Sequence, residues 1–178
     1  MTTPPRPRQK RTSITAPGLL LGIGFGGLVD GVVLHQVLQW HHMLSSDPCC
    51  APTSLRGLEL NTVADGFFHL ASVAILFAGM VLLWRRIHEG GVAWTGRQLL
   101  GLVLEGWGAF NLVEGLVDHH ILGLHHVHGG PYQLAYDIGF LVTGGLMVIV
   151  GNTLARTGRR DPRASLKTML EPLPYKAP

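Results

Sequence analysis

Histidine and carboxylate side chains recur within apolar stretches of this sequence, and together they have the chemistry of a metal site. The first stretch, LVDGVVLHQVLQWHHM over residues 28–43, contains Asp30, His35, His41 and His42. Ionisable groups are costly inside a bilayer, so they mark functional positions in membrane helices. Imidazole and carboxylate groups bind zinc, copper, iron and manganese, and helix bundles hold such ions with inward-pointing side chains.

A second stretch, NLVEGLVDHHILGLHHV over residues 111–127, repeats the first at a distance of 84 positions without a gap. The matched pairs are Asp30 with Glu114, His35 with His119, His41 with His125, and His42 with His126. Asp65 and Asp137 match more weakly in the helices that follow. Because scattered polar residues would not recur at matched positions, the pattern predicts an internal duplication that shares one site.

Four apolar windows are predicted to position these side chains. They cover residues 18–44, 60–84, 99–122 and 132–154, and each can span a hydrocarbon core about 30 Å thick. The chain is 47% hydrophobic and 14% charged, which is less charge than a soluble domain carries. The sequence predicts an all-α fold, a four-transmembrane-helix bundle made of two parallel-repeated helical hairpins.

Basic residues predict the orientation, because 13 of the 14 Lys and Arg residues lie on one side of these windows and only Arg56 lies on the other. By the positive-inside rule, this is a multi-pass protein of the inner (plasma) membrane with both termini cytoplasmic. The predicted divisions are a poorly ordered cytoplasmic tail at 1–17, a membrane domain at 18–155 with repeats at 18–86 and 98–155, and a second tail at 156–178. The lipid bilayer is the predicted partner and nucleic acid is not; homo-oligomerisation is left open.

Helical spacing suggests which side chains meet. Residues seven apart on an α-helix lie within about 20° of each other, so His35 and His42 are expected on one face of the first helix. The predicted metal ligands, in the outer half of the bilayer, are His35, His42, His69, His119, His126, Asp65 and Asp137. The predicted supporting or entry groups are Asp30, His41, Glu114, Asp118, His120, His125 and His128.

Copper is favoured over iron or zinc, because Cys49, Cys50 and Met43 lie on or beside the outer connection and sulfur ligands suit copper. The adjacent cysteines are open to three interpretations: a free pair, a strained redox pair, or metal ligands. The predicted function is a membrane metal-binding protein with a mononuclear or dinuclear site, acting as a redox or oxygen-activating oxidoreductase. The alternatives are a copper or transition-metal handling protein without turnover, a haem b electron-transfer protein, a structural hydrogen-bond network and a proton or ion pathway.

Three motifs carry a resemblance to a known family: DGxxxHQxxxWHH at residues 30–42, DGxxH at 65–69, and NxxEGxxxHHxxxxHH at 111–126. They resemble a family of small bacterial integral membrane proteins catalogued as a domain of unknown function. The resemblance covers roughly residues 18–155. It implies a four-helix membrane protein and supplies no activity.

Overall fold

Four long helices make up the protein in the computed structural model, which describes residues 13–89 and 94–159. Their bounds are α1 at Thr15–Val29, continued by a π-helix over Asp30–Val37; α2 at Leu55–His88; α3 at Gly96–Glu114, continued by a π-helix over Gly115–Ile121; and α4 at Gln133–Arg159. All four are long and apolar enough to cross a membrane, so the predicted all-α class is confirmed. Most of the two predicted tails, at 1–12 and 160–178, lies outside the described residues.

The helices pack in the order α2, α1, α3, α4. Helix α1 contacts α2 and α3, and α3 also contacts α4. Within residues 13–89 and 94–159, the outer helices α2 and α4 make no close main-chain contact with each other. The protein therefore has a central pair of helices, and each outer helix packs against one member of that pair and exposes apolar side chains elsewhere.

The central pair crosses where two glycines meet. A Cβ atom added to Gly22 would overlap the main chain of α3 at Val103 and Gly106, and one added to Gly106 would overlap the main chain of α1 at Leu19. Small residues at helix crossings in membranes allow this close approach. Gly22 and Gly106 are 84 positions apart, the same spacing that separates the two histidine stretches.

In both central helices the α-helix is followed by a π-helix, which starts where the histidine and carboxylate motif begins. The π-helical segments begin at the Asp30-Gly31 and Glu114-Gly115 pairs, and each ends two positions before a residue with positive φ. These residues are Gln39, with φ 49°, and Gly123, with φ 62°. The left-handed conformation ends a helix, because it turns the chain out of the helical path.

The first helix is consequently shorter than its apolar window. It ends at Val37, whereas the window reaches residue 44, so His41 and His42 lie in the connection after the helix. The expectation that His35 and His42 share a helical face was wrong, because it assumed an unbroken α-helix.

Candidate metal centre

Asp65 on α2 accepts hydrogen bonds from four groups of the first motif. Its Oδ1 atom accepts hydrogen bonds from His35 Nδ1 at 2.9 Å and from Met43 N at 3.0 Å. Its Oδ2 atom accepts from His42 Nδ1 at 2.7 Å and from Gln36 Nε2 at 3.1 Å. Because an ionised carboxylate can only accept, both imidazoles donate through Nδ1–H. When the ring of His35 is neutral, its Nε2 atom carries a free lone pair.

Asp137 on α4 makes the matching contacts to the second motif. Its Oδ2 atom accepts from His126 Nδ1 at 2.8 Å, and its Oδ1 atom accepts from Val127 N at 2.9 Å. His119 Nδ1 lies 3.6 Å from the same Oδ1 atom. The two aspartates, both predicted as ligands, therefore contact equivalent positions of the two motifs.

The two connections exchange hydrogen bonds through the first histidine of each terminal pair. His41 Nδ1 donates to the carbonyl oxygen of Val127 at 2.9 Å, and His125 Nδ1 donates to that of Met43 at 3.2 Å. A carbonyl oxygen can only accept, so Nδ1 carries a proton in both rings, and in the neutral form of each ring Nε2 is unprotonated. The two rings stack with centroids 4.8 Å apart and planes 4° apart. The sequence suggested supporting or entry roles for both histidines, whereas the structure places them at the centre.

Six buried side chains converge here, and we call them the six-residue cluster: Asp30, His35, His41, Glu114, His119 and His125. None of them is more than 4% exposed. Four offer ligand atoms that all lie within 4.8 Å of one another, and we call these the His3Glu set: His35, His41, Glu114 and His125. Three imidazoles and one carboxylate are a donor set that transition metals accept.

The cluster brings lone pairs close together. His35 Nε2 lies 3.1 Å from Asp30 Oδ2, and His125 Nε2 lies 3.5 Å from Glu114 Oε1. Among the described residues, none of these four atoms has a hydrogen-bond partner. Nitrogen and oxygen lone pairs that face each other in a buried site repel unless a proton or a metal cation lies between them. The site therefore needs positive charge at its centre.

The two stacked imidazoles are in the protonation state that binds metals. Burial lowers the pKa of His41 to about 4. Burial, together with the nearby His41, lowers the pKa of His125 to about 3. Desolvation disfavours the charged imidazolium form, so both rings are neutral at pH 7, and the neutral ring is the metal ligand.

The remaining predicted residues surround the cluster. His69 approaches the first π-helix so closely that a Cβ atom on Gly31 would overlap its ring, and among the described residues its buried Nε2 atom has no hydrogen-bond partner. Asp118 is half-buried and close enough to Asp30 for their charges to interact. His120 is exposed and donates from Nδ1 to the carbonyl oxygen of Gly115 at 2.7 Å.

His128 makes two aromatic contacts, and a cysteine pair lies in the connection between the first helix and α2. The ring of His128 lies 5.3 Å from that of Trp40 and 5.0 Å from that of Tyr136, measured between centroids. Cys49 and Cys50 are joined in a disulfide. A disulfide lacks the thiolate that makes cysteine a metal ligand, so the pair no longer favours copper.

A comparison with protein families matches residues 17–158 to a model described as a predicted membrane protein, DUF2243. The chain belongs to the DUF2243 family. The match contains both motifs and all of the six-residue cluster, which confirms the resemblance indicated by the sequence motifs. No curated protein and no solved structure matches the chain. Membership of DUF2243 thus establishes a membrane protein, and the activity has to be inferred from the site.

Replacing Asp65 with Asn should destabilise this DUF2243 protein by about 3 kcal/mol, the scale for breaking a buried ionic contact. The amide nitrogen of Asn cannot accept the donors that now reach the carboxylate. Unfolding measured in detergent micelles tests this. The Glu59→Gln variant removes a charge from an exposed position on the same helix and should leave the free energy of unfolding unchanged. Equal stability of the two variants would contradict the role given to Asp65.

Proposed function

We propose that this protein is an integral membrane metalloprotein whose ion is bound by the His3Glu set and performs redox or oxygen chemistry. Four buried donor groups carry the proposal: the Nε2 atoms of His35, His41 and His125, and the carboxylate of Glu114. Among the described residues they have no hydrogen-bond partner, and they lie within 4.8 Å of one another.

The hydrogen bonds of the other ring nitrogen, Nδ1, also support a metal site. The Nδ1 atoms of His35, His41 and His125 donate to a carboxylate or to a main-chain carbonyl. Metal-binding histidines are oriented in this way by their other ring nitrogen. In this proposal Asp65, predicted from the sequence as a ligand, instead orients His35, and Asp137 has the equivalent place beside His119. His69 stays a predicted ligand.

The chemical types of the donor groups in the His3Glu set favour some metal ions over others. Carboxylate and imidazole ligands without thiolate suit iron and manganese, which helix bundles bind with such side chains. We therefore propose iron or manganese ahead of copper and zinc. The bound ion would supply electron transfer or oxygen activation, while the protein residues hold it, fix the orientation of the imidazoles and exclude water.

The repeat and the orientation form part of the proposal. His42 with Asp65 and His126 with Asp137 are equivalent contacts, and they support two hairpins related by a pseudo-twofold axis along the membrane normal. Among the described residues, the basic side chains other than Arg56 lie at the helix ends opposite the cluster: Arg85, Arg86, Arg97, Arg156 and Arg159. We propose that this end is cytoplasmic and that the metal site lies in the outer half of the bilayer.

Metal handling without turnover is a second candidate, because partly exposed histidines lie next to buried ones along the second connection. His128 is half-buried, the side chain of His126 is 24% exposed and His125 is fully buried. Such a series offers successive ligands to an incoming ion. A haem held between His41 and His125 is disfavoured, because these rings stack directly on each other, whereas bis-histidine ligation needs the porphyrin plane between the rings.

Elemental analysis of protein purified in mild detergent from metal-replete cells tests the proposal. We expect at least one transition-metal ion per chain, retained through size-exclusion chromatography. Absence of a stoichiometric metal would instead support a structural network in which a protonated His35 bridges Asp30 and Asp65. A Soret band would indicate haem, and release of the ion to a mild chelator without turnover of any oxidant would favour metal handling.

A further inference from the structure

We infer that the six-residue cluster binds two metal ions, the second of them held by Asp30 and His119. This inference rests on the proposed function and extends it, because it adds two residues outside the His3Glu set and makes the centre dinuclear. It follows from what remains unpartnered when a single ion occupies that set.

A single ion in the His3Glu set leaves two buried members of the cluster without a partner, Asp30 from the first copy and His119 from the second. Both carboxylate oxygens of Asp30 and both ring nitrogens of His119 lack a hydrogen-bond partner among the described residues. These side chains are 4% and 3% exposed. His35 Nε2 lies 3.1 Å from Asp30 Oδ2. When that nitrogen binds the first ion, the buried carboxylate is left without a protonated partner, which is strongly unfavourable. A second cation compensates this charge and gives His119 a Lewis acid to bind.

The 84-residue repeat relates the His3Glu set to a second set of four donor residues. Shifting each member of the His3Glu set by 84 positions converts His35 to His119, Glu114 to Asp30, and exchanges His41 with His125. The two sets therefore share the stacked pair. A neutral imidazole has one free ring nitrogen, so two ions divide the stacked pair between them. With two ions bound, the first therefore keeps His35, Glu114 and one of the stacked rings, and the second takes the other ring.

Distances within the cluster agree with this division. The ring of His35 lies 4.5 Å from that of His41, and the ring of His119 lies 4.9 Å from that of His125, measured between centroids. Each half thus contributes two adjacent imidazoles. Asp30 belongs to the second set, yet its Oδ2 atom lies 3.1 Å from His35 Nε2 of the first set, so this carboxylate lies where the two sets meet and can serve both ions.

Metal content of the full-length protein, measured for the wild type and two single variants, tests this inference. We expect two ions per chain in the wild type, and one in each of His119→Gln and Asp30→Asn. The matched control is His120→Gln, which alters the neighbouring exposed histidine and should keep two. With manganese or iron bound, electron paramagnetic resonance should show a spin-coupled pair in the wild type and an isolated ion in the variants.

The outcomes separate this inference from the proposed function. One ion per chain in the wild type, unaffected by either variant, overturns the second site and leaves the His3Glu proposal intact. No metal in the wild type overturns both. If both variants fail to fold, the wild-type stoichiometry and its coupled or uncoupled spectrum decide the question without them.

Discussion

A protein in which His41 and His125 are both replaced by glutamine should purify without stoichiometric transition metal. The two rings stack at the centre of the six-residue cluster, and each supplies a free Nε2 atom. Loss of a single orienting group near a metal already lowers affinity about 10–100-fold, so the loss of two ligands should exceed about 100-fold.

Elemental analysis and size-exclusion chromatography of the same preparation measure this effect. Glutamine keeps an N–H group that can donate to the carbonyl oxygens of Val127 and Met43, so the connections should remain in place. His88→Gln is the control, because that histidine lies on the exposed end of α2 and donates to Trp84 O. A double variant that keeps the wild-type metal content would refute the His3Glu site.

Replacing Gly22 with leucine should prevent the protein from folding. The added side chain would project into the main chain of α3 at Val103 and Gly106. Overpacked cores usually lose about 1–3 kcal/mol through side-chain movement. Here the obstacle is helix backbone, which cannot rotate away, so we expect a loss above that range.

The yield of monodisperse protein and its melting temperature in detergent test this prediction. Gly106→Leu should behave in the same way, since a Cβ atom there overlaps Leu19. The control is Gly145→Leu on α4, where no described residue lies within 4 Å of an added Cβ atom. If Gly22→Leu melts at the temperature of Gly145→Leu, the crossing of α1 and α3 does not have the tight contact that we describe.

The helix crossing and the candidate metal centre are formed by the same two helices, α1 and α3. Gly22 and Gly106 bring α1 and α3 together, and the same two helices then carry Asp30 and Glu114 to the cluster. Each outer helix adds one aspartate, Asp65 or Asp137, which holds its motif from outside. Loss of the crossing would therefore remove the metal as well, whereas loss of the ligands should leave the crossing intact.

Much of this could be predicted from the sequence. The four apolar windows predict the helices, because crossing a bilayer requires long apolar segments whatever the details of packing. Repetition of the acid and the histidines predicts a shared site, and it selected His35 and His119, which the structure places in the six-residue cluster. These conclusions depend only on residue type and spacing.

The position of Asp30 beside His35 was decided by tertiary structure. Residues five apart on an α-helix are separated by about 140° around the axis, so α-helical spacing separates the acid from the imidazole. A π-helix closes its hydrogen bonds between residues five apart and brings them to the same side. Whether a segment winds in this way depends on tertiary packing, which residue spacing does not show; here α2 approaches the π-helix closely at Gly31.

The roles of the paired histidines were decided in the same way. His41 and His42 are adjacent in sequence, yet one donates to the carbonyl oxygen of Val127 and the other to Asp65. Residue type and spacing determined that this protein is a membrane protein with matched histidines and acids. Only the crossing of the two connections determined which histidines face the centre, because those hydrogen bonds join residues more than 80 positions apart.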